Sequence, residues 1–191
     1  MRRLGRASRV YALRALHARP STHDCWRLPR TIRRFSTMMS PCPRYILTFA
    51  DMKTKILVIC TGNSCRSQMA HAYLQRLDAA LVVRSAGIVP APCVNPFAVK
   101  VMSEDGIDIS GHVPHDVREY LDEPWDYVVT VCGGAQESCP HFAGAVGHML
   151  HIGFEDPAEA TGTEEEVLKV FRRVRDDIKL RFTALYQSFS C

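Results

Sequence analysis

The segment Cys60-Thr61-Gly62-Asn63-Ser64-Cys65-Arg66-Ser67 brings thiols, a guanidinium and hydroxyls into one short stretch. Between a strand and a helix, such a turn aims several backbone N–H groups into one concavity. The helix N-terminus adds partial positive charge, and Arg66 supplies a planar fork suited to a tetrahedral oxyanion. Cys60, at the floor of that cradle, is the candidate nucleophile toward phosphate or a look-alike. The same field is expected to lower the pKa of Cys60, with the Ser67 hydroxyl hydrogen-bonded to its thiolate. Gly62 and Asn63 are the residues expected to accept positive φ. A Cys and an Arg six positions apart recur by chance, so the strand-to-helix context gives the motif its weight. Cys65 reads as a packing thiol within the anion-binding loop Thr61 to Ser67.

A second pair of thiols lies in Cys132-Gly133-Gly134-Ala135-Gln136-Glu137-Ser138-Cys139, seven positions apart in a Gly-rich stretch expected to be a mobile loop. The favoured reading is a redox pair; half a zinc site and two incidental thiols are the alternatives. Zinc would want a second compact pair of ligands, and although His141 is near, none is evident. Phe154-Glu155-Asp156-Pro157-Ala158 follows the last expected strand, where the carboxyl ends of parallel strands meet; taken alone, Asp156 suits an ordinary turn before a helix.

These groups need a scaffold, and from Lys53 onward short β-branched runs alternate with helical periods. That order predicts an α/β domain: a single-domain three-layer sandwich whose mostly parallel sheet of about four strands is flanked by helices. Strands are expected at 54–60, 81–85, 127–131 and, more weakly, 146–152. A helix over 66–77 carries Met69, Tyr73, Leu74 and Leu77 on its apolar face. Asn95-Pro96 starts another helix that Gly106 ends, and a shorter one follows Pro114. Thr163-x-x-Glu166 is a capping box for a long last helix, with Val167, Val170, Phe171, Val174, Ile178 and Leu185 inward.

The charge balance misleads unless divided. The 191 residues hold 24 Lys and Arg against 20 Asp and Glu, yet residues 1–51 contain eleven Arg, no Lys and two acids, so the remainder is acidic. With no basic stripe interleaved with aromatics there, nucleic acid is not an expected partner. No apolar run approaches a membrane span. The Arg- and Ser-rich leader 1–51 is expected to be unstructured. It is read as a mis-assigned start, with translation beginning at Met52, or as an organellar transit segment; the first is favoured. Cys25 and Cys42 are then outside the chemistry.

The run Ile59 to Ala70, Ser85-Ala86-Gly87 and Val94-Asn95-Pro96 together resemble the thioredoxin-coupled arsenate reductases, which share the low-molecular-weight protein tyrosine phosphatase fold. The resemblance covers nearly all of 53–187. It implies attack of Cys60 on arsenic, with Arg66 and the loop Thr61, Gly62, Asn63, Ser64, Cys65, Arg66 and Ser67 holding arsenate and Asp156 as general acid. A relay through Cys132 and Cys139 would then end at thioredoxin as the external reductant. Phosphate and sulfate would compete as oxyanions. Free thiols with catalytic spacing need a reducing compartment, so the expected location is the cytoplasm, or an organelle matrix if the leader is genuine; a monomer with no tightly bound cofactor is expected. Some members of the family bind potassium near the loop through carboxylates. Here His71 and His115 stand where acids are expected, which speaks against a potassium requirement. Cys93 and Cys191 match no role. A low-molecular-weight phosphatase and a thiol-based arsenite or metal sensor are the alternative functions; a phosphatase has no need of the Cys132–Cys139 pair.

Overall fold

The computed structural model describes residues 53–189; the leader 1–51 and Cys191 lie outside the described residues. Four strands, β1 Lys55–Cys60, β2 Val82–Gly87, β3 Trp125–Thr130 and β4 Val146–His151, form one sheet in the order β2-β1-β3-β4. Every pairing is parallel, so the sheet is parallel throughout rather than mostly. Ile56 to Ile59 are fully buried, as a central strand covered on both faces requires. Because β1 connects outward to β2 while β3 lies on its other side, the carboxyl ends of β1 and β3 flank a topological switch point, where open α/β sheets place their ligands.

Helix α1, Arg66–Leu77, has no Pro or β-branched residue and is rich in strong helix formers. It buries Met69, Tyr73 and Leu74, but Leu77 at its end is exposed, contrary to the expected apolar face. Helix α2, Pro96–Glu104, starts as expected: Asn95 Oδ1 accepts from the Phe97 N–H at 2.9 Å, with Pro in the first turn. A 3₁₀ turn at Val117–Tyr120 follows Pro114.

The Gly-rich stretch after β3 is not the expected open loop. It forms a short helix, α3, Gly133–Glu137, pinned by the fully buried Ala135. Two glycines at its start make it intrinsically weak, so packing holds it. The last helix, α4, spans Glu164–Phe189 and packs against α1 and α2. Its capping box is present: Glu166 Oε2 accepts from the Thr163 N–H at 2.8 Å, and Thr163 Oγ1 from the Glu166 N–H at 3.4 Å. Its buried face runs through Leu168, Phe171, Val174, Ile178 and Phe182, whereas Val167, Val170 and Leu185 lie at its margin. Among the described residues, no helix is long and apolar enough to cross a membrane.

Candidate active site

The chain leaves β1 at Cys60 and turns through 61–65 into α1. Asn63 makes the turn possible, being the one described non-glycine residue with positive φ, at 49°. Gly62 does not share that conformation, against expectation. Asn63 tolerates it because its amide is anchored at both ends: Nδ2 donates to Ser67 Oγ at 2.8 Å, and Oδ1 accepts from the His115 N–H at 2.9 Å. The tight approach lies at Gly87 instead, where a Cβ would fall 2.9 Å from the Thr61 carbonyl oxygen and 3.0 Å from the Asn63 nitrogen. Only glycine lets the end of β2 pass beneath the loop. The carbonyls of Cys60, Thr61, Gly62 and Ser64 accept from the N–H groups of Ile88, Val89, Ala91 and Asn95. The carbonyl side of the loop is thus engaged by protein, and its N–H side is what an anion can use. No side chain caps α1 at Cys65, which leaves that helix terminus to a ligand.

Cys60 Sγ accepts from the Asn63 N–H at 3.0 Å and lies 2.9 Å from Ser67 Oγ. Burial pushes the Cys60 thiol up, and this outweighs the hydrogen bonds of Ser67 and Asn63 and the charge of Arg66, which all favour the thiolate. The expected lowering is therefore corrected: the local contacts act in that direction, but a cysteine only 2% exposed loses more solvation than they return. Replacing Ser67 with Ala removes the strongest of the opposing influences and is expected to raise the Cys60 pKa further. About tenfold less thiolate would then be present at neutral pH. The ultraviolet thiolate absorbance against pH, taken as the difference from a Cys60→Ser protein, checks this; an unmoved midpoint would refute it. For Cys65, burial pushes the thiol up to about 12, so it stays protonated.

Arg66 is buried beside the loop. Its Nη1 donates to the Phe154 carbonyl at 3.3 Å and its Nη2 to the Asp156 carboxylate, while Nε is buried without a hydrogen-bond partner. A buried guanidinium N–H left unpaired is unfavourable, and an oxyanion oxygen is the group that would relieve it. Asp156 Oδ1 also accepts from the Ala158 N–H at 3.1 Å, capping the 3₁₀ turn Pro157–Glu159. The loop, Arg66 and Asp156 are therefore brought together. So is Cys132, buried at the N-terminus of α3 with Sγ 3.3 Å from Thr61 Oγ1. Cys139 is half-buried beyond the far end of α3, where burial raises its pKa. All five described cysteines, Cys60, Cys65, Cys93, Cys132 and Cys139, are free thiols.

Residues 55–190 match the low molecular weight phosphotyrosine protein phosphatase family. The arsenate reductase of Halalkalibacterium halodurans is 48% identical over 130 residues, which cover 68% of this chain and 92% of that protein. A solved arsenate reductase in its phosphate-binding state aligns with a TM-score of 0.61 at 32% identity, over 71% of this chain and 98% of the other. The chain belongs to the arsenate reductases of this fold. The thioredoxin-dependent arsenate reductase of Corynebacterium glutamicum also aligns, with a TM-score of 0.51 and 28% identity over 71% of this chain and 60% of that one.

Within this arsenate reductase fold, the sequence reading missed the polar groups behind the loop. Gln68 and His112, joined at 2.8 Å, adjoin Asn63, in a cavity of about 320 Å³ also lined by His71, Arg84, Ser85 and His115. A helical Gln and a His in a turn carry no motif, so only a period count placing Gln68 on the buried side of α1 could have flagged them. The cavity is lined by three imidazoles, the Arg84 guanidinium and the oxygen-bearing side chains of Gln68, Ser85 and Tyr120, and His71 Nδ1 lies 3.3 Å from Ser85 Oγ. Burial lowers the His71 pKa to about 4, so that ring is neutral near pH 7.

Proposed function

We propose that this protein reduces arsenate to arsenite with thiols as the electron source and thioredoxin as the final donor. The observation that carries the reading is a buried thiol, Cys132, beside the anion-binding loop, with a second, more accessible thiol at the other end of a weak helix.

Arsenate enters the loop and is held by backbone N–H groups and by Arg66, whose unpaired Nε gains an acceptor. The oxyanion competes with Asp156 for the guanidinium, which frees the carboxyl to carry a proton. Cys60 attacks arsenic, an S–As bond forms, and Asp156 protonates the oxygen that departs as water. Cys132 as thiolate then attacks the Cys60 sulfur. The S–As bond breaks, its electron pair stays on arsenic, and arsenite leaves behind a Cys60–Cys132 disulfide. Cys139 attacks Cys132, returning Cys60 as a thiolate and leaving Cys132–Cys139 for thioredoxin to reduce. The two electrons that arsenic gains are the two that thioredoxin supplies. Such thiols must be reduced between turnovers, which fits a reducing compartment such as the cytoplasm.

The test is NADPH oxidation by thioredoxin reductase and thioredoxin with arsenate as substrate. One NADPH consumed per arsenite formed is expected; aryl phosphate hydrolysis with no arsenate-dependent oxidation would overturn the reading in favour of a phosphatase. The imidazole-lined cavity gives a further expected result. Exchanging potassium for sodium at constant ionic strength should change turnover by less than about twofold. A large loss on removing potassium would refute it.

A further inference from the structure

We propose that His112 is a positioning residue for the Cys60 thiolate, acting through Gln68, Asn63 and Ser67. The direction of each hydrogen bond between them follows from groups whose roles are fixed. Asn63 Oδ1 accepts from the backbone N–H of His115, a group that can only donate, so the Asn63 amide has one orientation and its Nδ2 donates to Ser67 Oγ. The single Ser67 hydroxyl proton is then free to point at Cys60 Sγ, 2.9 Å away. Gln68 Nε2 is surrounded by three carbonyl-type acceptors: the Asn63 backbone oxygen at 3.1 Å, Asn63 Oδ1 at 3.0 Å and the Val113 backbone oxygen at 3.2 Å. Its orientation is fixed as well, and Gln68 Oε1 faces His112 Nδ1 at 2.8 Å, so that ring nitrogen must carry the proton.

The result is an unbroken series of donors aimed one way, from His112 N–H to the Gln68 amide, the Asn63 amide, the Ser67 hydroxyl and finally the sulfur. Donors in series polarise one another, and the end of this series is a group that accepts strongly only as a thiolate. His112 also fixes the orientation of the chain, since a group that accepted at this position would compete for the Gln68 amide protons. Gln68 is buried, so losing the His112 partner leaves its Oε1 to be satisfied only from the adjoining cavity. His112 itself is half-buried, with its ring centre 5.3 Å from that of His71 and with burial opposing the pull of Asp108 toward the charged form. The neutral ring with Nδ1 protonated is the form that these surroundings favour.

The inference rests on Cys60 being the nucleophile, and its test reads the thiolate directly, so it can fail while arsenate turnover stands. The Cys60 midpoint is taken from thiolate absorbance against pH in the full chain, as the difference from matched Cys60→Ser proteins. His112→Leu should raise the midpoint, with about threefold less thiolate at neutral pH. His112→Asn, which keeps an N–H donor at the same reach, should restore it. Gln68→Met cuts the series nearer the sulfur and should give a larger rise, to which His112→Leu then adds nothing. The rate of arsenate reduction in His112→Leu should fall at neutral pH and recover as pH rises. An unmoved midpoint, an equal loss of rate at every pH, no rescue by Asn, or additive effects of the two substitutions would each overturn the proposal. If His112→Leu does not fold, the Asn and Gln68→Met proteins decide it: a midpoint unchanged in Gln68→Met refutes the series.

Discussion

Replacing Cys139 with Ser should leave an enzyme that makes one arsenite per molecule and then stops. Cys60 and Cys132 lie on the same side of the sheet's carboxyl edge, the second touching Thr61 of the first one's loop, so attack on arsenic, with Arg66 and Asp156 in place, and closure of the Cys60–Cys132 disulfide do not need Cys139. What Cys139 supplies is export. Without it the disulfide remains between two buried cysteines, 2% and 5% exposed, where the thiol of a protein reductant cannot approach. Rapid-quench measurement of arsenite checks the first half, with one equivalent formed in the absence of any reductant. Steady-state NADPH oxidation checks the second, with turnover abolished. Continued turnover in Cys139→Ser would mean that thioredoxin reaches Cys132 directly and that the third thiol is dispensable.

Cys132 and Cys139 flank the five-residue helix α3, Cys132 in extended backbone and Cys139 beyond the C-cap Ser138, so closing a Cys132–Cys139 disulfide, which needs Cα atoms within about 7 Å, is expected to rearrange Gly133–Glu137. The weakness of that helix is thus useful: Gly133 has open space around it, and the segment hangs on Ala135 and on the contact of Gly134 with Thr61, where a Cβ would come within 3.3 Å of Oγ1.

What the sequence made legible follows where local chemistry and final structure agree. The helix starts were readable because Asn95-Pro96 and Thr163-x-x-Glu166 cap helices by contacts within a few residues of themselves. Arg66, Ser67, Cys60 and Asp156 were readable because the loop forms from neighbours in the chain and the acid follows the last strand. The misses share a different cause. Helix α3 read as a loop because two glycines argue against a helix, and only tertiary packing of Ala135 overrides them. The thiol pKa was misjudged because composition shows the positive groups around Cys60 but not the depth at which they sit. Gln68 and His112 were invisible because their roles depend on a contact across 44 positions of sequence. Of the two residues expected to take positive φ, Asn63 does and Gly62 does not, because the His115 N–H that anchors Asn63 comes from far along the chain.

Arg66→Lys is expected to lower arsenate reduction by at least about a hundredfold, although charge is conserved. Three separate nitrogens of the guanidinium have distinct positions: one on the Phe154 carbonyl, one on Asp156 and one buried without a partner. A lysine ammonium is a single centre. It can stay with the Phe154 carbonyl and Asp156 or turn to the oxyanion, but it cannot bridge them. Because the lost contacts include those that stabilise negative charge as it builds on the departing oxygen, kcat should fall as well as the affinity for arsenate. Protection supplies a measurement independent of turnover. Phosphate or sulfate should slow alkylation of Cys60 in the parent by occupying the loop and should protect the Lys protein far less. If Arg66→Lys kept full protection and lost only turnover, the guanidinium would be needed after binding, at the step where Asp156 gives up its proton. If it kept turnover within a few-fold, a single positive charge would suffice, and the planar fork with its unpaired Nε would have no part in holding the substrate.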